Sequence, residues 1–175
     1  MAENKYLVWQ EKLKTRTWYR RAWVFFGIYS ILAIFVLGLV LIFGEYWKVV
    51  IVAAIAFLLA RAVVSPIIFY FYKKQRPYQK FTFDPIYSKL LSLRSSKFNS
   101  FPSDHALSLA SLAMVFYYYI PVVGVAMFVL MLFNGYARII LGYHDGKDII
   151  GGFIVGILCA LFTIYYIAPV IFTKI

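Results

Sequence analysis

The stretch from Arg138 to Asp148 reads RIILGYHDGKD and lies between two long apolar runs. An arginine, a histidine six positions on and an aspartate four beyond that make a poor lipid-facing sequence but a good chemical one. Arginine cannot lose its charge and offers a planar fork of donors suited to phosphate. A neutral histidine nitrogen can attack phosphorus when a carboxylate holds the ring's other N–H. That division of labour matches Arg138 to an anion and the His144–Asp148 pair to nucleophilic attack.

A second stretch, FPSDH from Phe101 to His105, directly precedes the apolar run Ala106 to Ile120. Ser103 and Asp104 are good N-cap residues, so the open N–H groups and positive dipole end of the following helix would face the preceding loop, where phosphate binds readily. A third stretch, Arg76 and Pro77, follows the end of another apolar run. If the helices on either side of Pro121 and Gly124 form an antiparallel hairpin, all three polar stretches reach the same membrane face. They bring two arginines, two histidines, a serine, a carboxylate and a helix start. Such a set can neutralise a phosphoryl group, supply a histidine nucleophile and use a second histidine as proton donor to the leaving oxygen. This chemistry demands no metal, and no cofactor is expected. With one cysteine, Cys159, inside an apolar run and only two histidines, the chain offers no disulfide framework and no cysteine or histidine metal cluster.

The elements that must position these residues are apolar. Of 175 residues, 63% are hydrophobic, far above a soluble domain, and the formal charge is +11. The basic residues flank apolar runs, so the charge points to a membrane surface and anionic headgroups, not to nucleic acid. The pattern predicts an all-α integral membrane bundle of about five transmembrane helices plus an amphipathic N-terminal helix, forming one domain over 1–175. Residues 1–21 are basic and aromatic, lack the apolar core of a signal peptide, and read as an interfacial helix. The expected crossings are Ala22 to Gly44, Val49 to Tyr72, Ala106 to Ile120, Val122 to Leu141 and Asp148 to Ile171. Pro66 should kink the second. Arg61 interrupts the same run near mid-bilayer, where it is either a functional group facing a polar cavity or a tie to a backbone carbonyl or carboxylate. Gly152, Gly156 and Ala160 form a small-residue stripe for close packing. Residues 73–103 form the single sizeable polar loop, strongly basic with Lys89, Arg94 and Lys97, and read as an active-site lid over an anion.

The three polar stretches resemble the signatures of the type-2 phosphatidic acid phosphatase superfamily. These are a lysine followed after six residues by Arg-Pro, then Pro-Ser-Gly-His, then Ser-Arg with five residues to His and three more to Asp. Here the third runs from Arg138 through His144 to Asp148 with Ala137 in place of the serine. The second is Pro102, Ser103, Asp104, His105, with aspartate for glycine. The first keeps Arg76 and Pro77, but Phe69 stands where the lysine belongs. The resemblance implies that His144 is a nucleophile forming a phosphohistidine, that Asp148 orients it and that His105 protonates the leaving group. It implies too that Arg76, Arg138 and the backbone N–H and hydroxyl of Ser103 hold the phosphate. Lys73, four residues after Phe69 on the same helical face, is the expected substitute for the missing lysine, with Lys74 or Lys80 as alternatives.

A catalytic face at headgroup level implies a phospholipid or isoprenoid phosphate substrate, with membrane lipids as surroundings. The PSDH variant is similar to bacterial undecaprenyl pyrophosphate phosphatases of the bacitracin-resistance type, which puts an isoprenoid diphosphate first. Lipid A 1-phosphate, phosphatidylglycerol phosphate and phosphatidate follow. The positive-inside rule puts the site in the cytoplasm, whereas the resemblance implies the outer face of a bacterial cytoplasmic membrane. Several of the charges serve to bind phosphate, so the outer face is the expectation. The rival reading is a small membrane transporter or lipid-binding scaffold whose polar path is lined by Arg61, Arg138 and His144.

Overall fold

The structure, a computed structural model, describes residues 2–42, 45–81 and 99–174. Among them every regular element is helical, and the fold is an all-α membrane bundle. Helix α1 spans Ala2–Thr15 and α2 spans Thr17–Ile42. The N-terminal helix therefore ends sooner than residue 21, and Trp18 to Arg21 open the next helix. Thr15 and Thr17 flank the break, and the Thr15 hydroxyl donates back to the Glu11 carbonyl at 2.9 Å, a contact that bends helices.

Helix α3 runs over Trp47–Phe71. It is not uniform: Leu59–Val64 form a π turn before the chain returns to α-helix at Ser65. Pro66 has no N–H for the carbonyl one turn back, and the expected disturbance is taken up as this wider turn on its N-terminal side. A short α4 covers Pro77–Lys80, α5 Asp104–Tyr119 and α6 Pro121–Ile140. Helix α7 starts at Gly146 and continues through a π turn at Thr163–Ile167 into Ala168–Lys174. By length and composition α3, α6 and α7 can each cross a membrane. At 16 residues α5 rises only about 24 Å, short of a hydrocarbon core. It is nevertheless the innermost helix, packed on α3, α6 and α7 with nine of its residues buried.

Close approach without a bilayer-scale hydrophobic driving force requires small residues. The predicted stripe supplies them. A Cβ added at Gly152 would lie 2.7 Å from the Ser103 carbonyl oxygen, and one at Gly156 would lie 2.3 Å from that of Leu107. Across the seam stand Ala106 and Ala110. The site residues at the N-terminal ends of α5 and α7 thus start from helices whose backbones touch. On the other flank, buried Asn134 of α6 donates to the Phe26 carbonyl at 2.9 Å and to Ser30 Oγ at 2.8 Å, joining α2 to α6.

Candidate active site

The site sits where α3, α5, α6 and α7 begin or end on one side of the bundle. Helix α6 closes at Ile140, Gly142 turns the chain with φ 80°, and His144 follows. A positive φ there favours glycine. Asp145 is the N-cap of α7, and Asp148 at N3 accepts the Asp145 amide on Oδ2 at 2.9 Å, so a capping box fixes Asp145–Asp148 directly after His144.

His144 is buried, and its Nδ1 lies 2.9 Å from the Ser100 carbonyl oxygen and 3.8 Å from Asp148 Oδ2. The direct partner of the ring is therefore Ser100, and Asp148 acts one bond further back. Its Oδ2 accepts the Ser100 hydroxyl at 2.6 Å. A carbonyl partner requires the proton on Nδ1, which leaves Nε2 with a free lone pair. Burial, together with the charges of Arg76 and Arg138, outweighs Asp148 and lowers His144 to about 4, so the ring is neutral near pH 7.

Arg76 and Arg138 are 9% and 2% exposed. Arg76 Nη2 donates weakly to the Asn99 carbonyl at 3.4 Å, and Arg138 Nη2 donates to the Gly27 carbonyl of α2 at 2.8 Å. Neither Nε has a partner, and among the described residues neither guanidinium is paired with a carboxylate. Arg138 is thus held inside the bundle and does not reach for the membrane interface. His105 lies within electrostatic reach of Arg138, His144, Arg61 and Arg76, so the two histidines and three arginines share one environment.

Two expectations about the phosphate ligands change. The Ser103 amide donates to the Asp148 carbonyl at 3.0 Å, so that N–H is committed to tying α5 to α7. The Ser103 hydroxyl is buried and without a partner, which leaves it as the group open to an anion. Lys73 is exposed, because α3 stops at Phe71 and Tyr72 is extended (φ −119°, ψ 94°), which cancels the helical relation to Phe69. Lys74 turns inward instead, 2.7 Å from Asp148 Oδ1 and 3.0 Å from Asp145 Oδ2. Burial opposes its charge, but the hydrogen bonds to Asp148 and Asp145 prevail and raise it above the usual lysine range. Its charge is thus spent on carboxylates.

Arg61, at the π turn of α3, forms an ion pair with Asp104. Ser65 Oγ donates to the other oxygen of Asp104 at 2.6 Å. Tyr6 of α1 donates to Asp145 Oδ1 at 2.7 Å, with its hydroxyl pKa raised by burial and by that carboxylate. Ser100, Tyr6 and the Asp104 partner of Arg61 were not foreseen as parts of the site. Ser100 lies just ahead of the FPSDH stretch, but nothing in spacing marks it. Of the polar loop, Lys74 and Ser100 are joined by an amide-to-carbonyl bond at 3.1 Å. Lys89, Arg94 and Lys97 of the expected lid lie outside the described residues.

Helical bundle and site together define a membrane protein with buried arginines gathered beside a neutral, oriented histidine, an arrangement compatible with hydrolysis of a phosphate ester. The model of the PAP2 superfamily matches residues 45–171, and the chain belongs to that superfamily, whose members act as phosphatases. No curated protein and no solved structure matches the chain. The match takes in the site residues except Tyr6 and the Gly27 carbonyl that holds Arg138, and leaves α1 and α2 outside it.

Proposed function

We propose that this protein hydrolyses a lipid-borne phosphate ester or anhydride at the membrane surface through a phosphohistidine, with undecaprenyl diphosphate the first substrate. The observation that supports it most is the pair of buried guanidiniums without carboxylate partners beside neutral His144. A buried uncompensated cation is costly, and a phosphate dianion in the pocket offsets two at once.

In the first step His144 Nε2 attacks phosphorus. Burial and the neighbouring arginines hold the His105 pKa well below the usual histidine value; the bound phosphate dianion offsets those charges, so that His105 carries a proton and gives it to the leaving oxygen as the bond from phosphorus to that oxygen breaks. Arg76, Arg138 and the Ser103 hydroxyl take the charge of the transferring group, while Asp148 and the Ser100 carbonyl favour the charge that develops on the ring. In the second step water attacks the phosphohistidine, His105 takes its proton, and the N–P bond breaks to release inorganic phosphate. All of these groups lie at one end of an apolar bundle, which suits an amphiphile whose tail stays in the bilayer.

The protein purified in detergent is expected to release phosphate from an isoprenoid diphosphate in the presence of a chelator. His144→Ala should reduce release to background with the helical circular dichroism unchanged. An active His144→Ala would remove the nucleophile assignment, and inactivity of the wild type on a panel of lipid phosphates would favour the transporter or scaffold reading.

A further inference from the structure

We propose that Arg61, held by Asp104, is a phosphate-binding residue on the leaving-group side of the site and biases it toward diphosphates over monoesters. This deepens the proposed function and rests on it. Asp104 puts a carboxylate directly before His105, where the motif has glycine. A lone carboxylate next to a phosphate pocket would repel the ligand. In the structure it is met by Arg61 and by the Ser65 hydroxyl, both from α3.

The placement carries the assignment. Asp104 immediately precedes His105, so the carboxylate anchors Arg61 beside the residue that protonates the leaving oxygen, and Arg61 acts electrostatically on His105. Lys74 is not available for this duty, because both of its contacts are carboxylates. The guanidinium is partly exposed, at 37%, despite lying in a membrane-crossing helix, and the helix widens into a π turn at that point. An arginine at such depth is retained facing a polar space, and π turns recur at functional positions. A monoester releases an alcohol, whose charge a proton alone cancels. A diphosphate releases a phosphate ester, which keeps negative charge after protonation and gains from a guanidinium.

The test compares kcat/KM for an isoprenoid diphosphate and the matching monophosphate across wild type, Arg61→Gln, Arg61→Lys and Arg61→Gln/Asp104→Gly. In wild type the diphosphate is preferred. Arg61→Gln should lower the diphosphate-to-monophosphate ratio about tenfold or more, the scale of one charge-assisted contact. Arg61→Lys should recover part of that ratio, and the double variant should not recover it. Because the double variant removes both charges, a misfolded Arg61→Gln with a stranded Asp104 would be exposed by its restored melting temperature. Equal loss on both substrates, or recovery of the ratio in the double variant, would overturn the proposal and leave the pair as a self-neutralising tie. No hydrolysis of either substrate by wild type would instead remove the hydrolase reading itself.

Discussion

Ser100 contacts both members of the proposed nucleophilic pair: its carbonyl receives the His144 ring N–H and its hydroxyl donates to the carboxylate of Asp148. Ser100→Ala keeps the first contact and deletes the second, leaving a buried carboxylate oxygen short of a donor. Steady-state kinetics should show kcat reduced about tenfold with little change in KM, the pattern of an outer partner that orients a reacting ring. The low His144 pKa, about 4 against 6.5, carries a pH prediction. Attack needs the neutral ring, so the acidic limb of kcat/KM for the free enzyme should fall near 4, not near 6.5. Arg76→Gln removes a positive neighbour and should move that limb upward, on top of weaker binding; a limb that stays put would mean that Arg76 is remote from the ring. The same shift has a stability consequence. The unfolded ring takes up a proton that the buried ring resists, so the fold should lose stability as pH falls from 6.5 toward about 4.

At the scale of elements, the seam between α5 and α7 sets the spacing of the site, because Ser103 and His105 start one helix while His144 and Asp148 start the other. Gly156→Ala would drive a methyl to 2.3 Å from the Leu107 carbonyl oxygen, backbone that cannot rotate away. Thermal unfolding in detergent should show a loss of about 1–3 kcal/mol, the usual cost of overpacking, with activity falling as the helices part. Helix α1 adds a brace from outside the matched family core. Tyr6, Gln10 and Leu13 form its buried face, Leu13 packing with Ile140, Leu141 and Tyr143. The helix expected to lie on the membrane thus turns one side to the catalytic turn. Tyr6→Phe removes one donor to Asp145 and leaves Lys74 and the Asp148 backbone N–H to hold that carboxylate. Loss of about 1 kcal/mol of positioning predicts a few-fold lower kcat at unchanged melting temperature.

For the whole molecule, the side of the membrane on which the site opens can be measured with one cysteine. Cys159 is buried, and Lys147, beside the catalytic pair, is exposed. In Cys159→Ala/Lys147→Cys, a membrane-impermeant thiol reagent added to intact cells should label the new cysteine if the site faces outward, as proposed; labelling only after lysis would put it in the cytoplasm.

The sequence by itself determined the helices and the local chemistry. Apolar runs longer than a bilayer can hardly be anything else, and Asp148 belongs to a cap set within Asp145–Asp148, directly after His144. The Gly152, Gly156 and Ala160 seam was legible for the same reason, as a periodicity on one helix. Contacts between distant stretches were not. Where α3 stops decided that Lys74, and not Lys73, turns inward, since one residue of extended backbone reverses the direction of a side chain. Only the tertiary structure inserted Ser100 between His144 and Asp148, committed the Ser103 amide to Asp148, and set Arg61 against Asp104. These are choices among hydrogen-bond partners far apart in the chain, and such choices are made by how closely the helices pack.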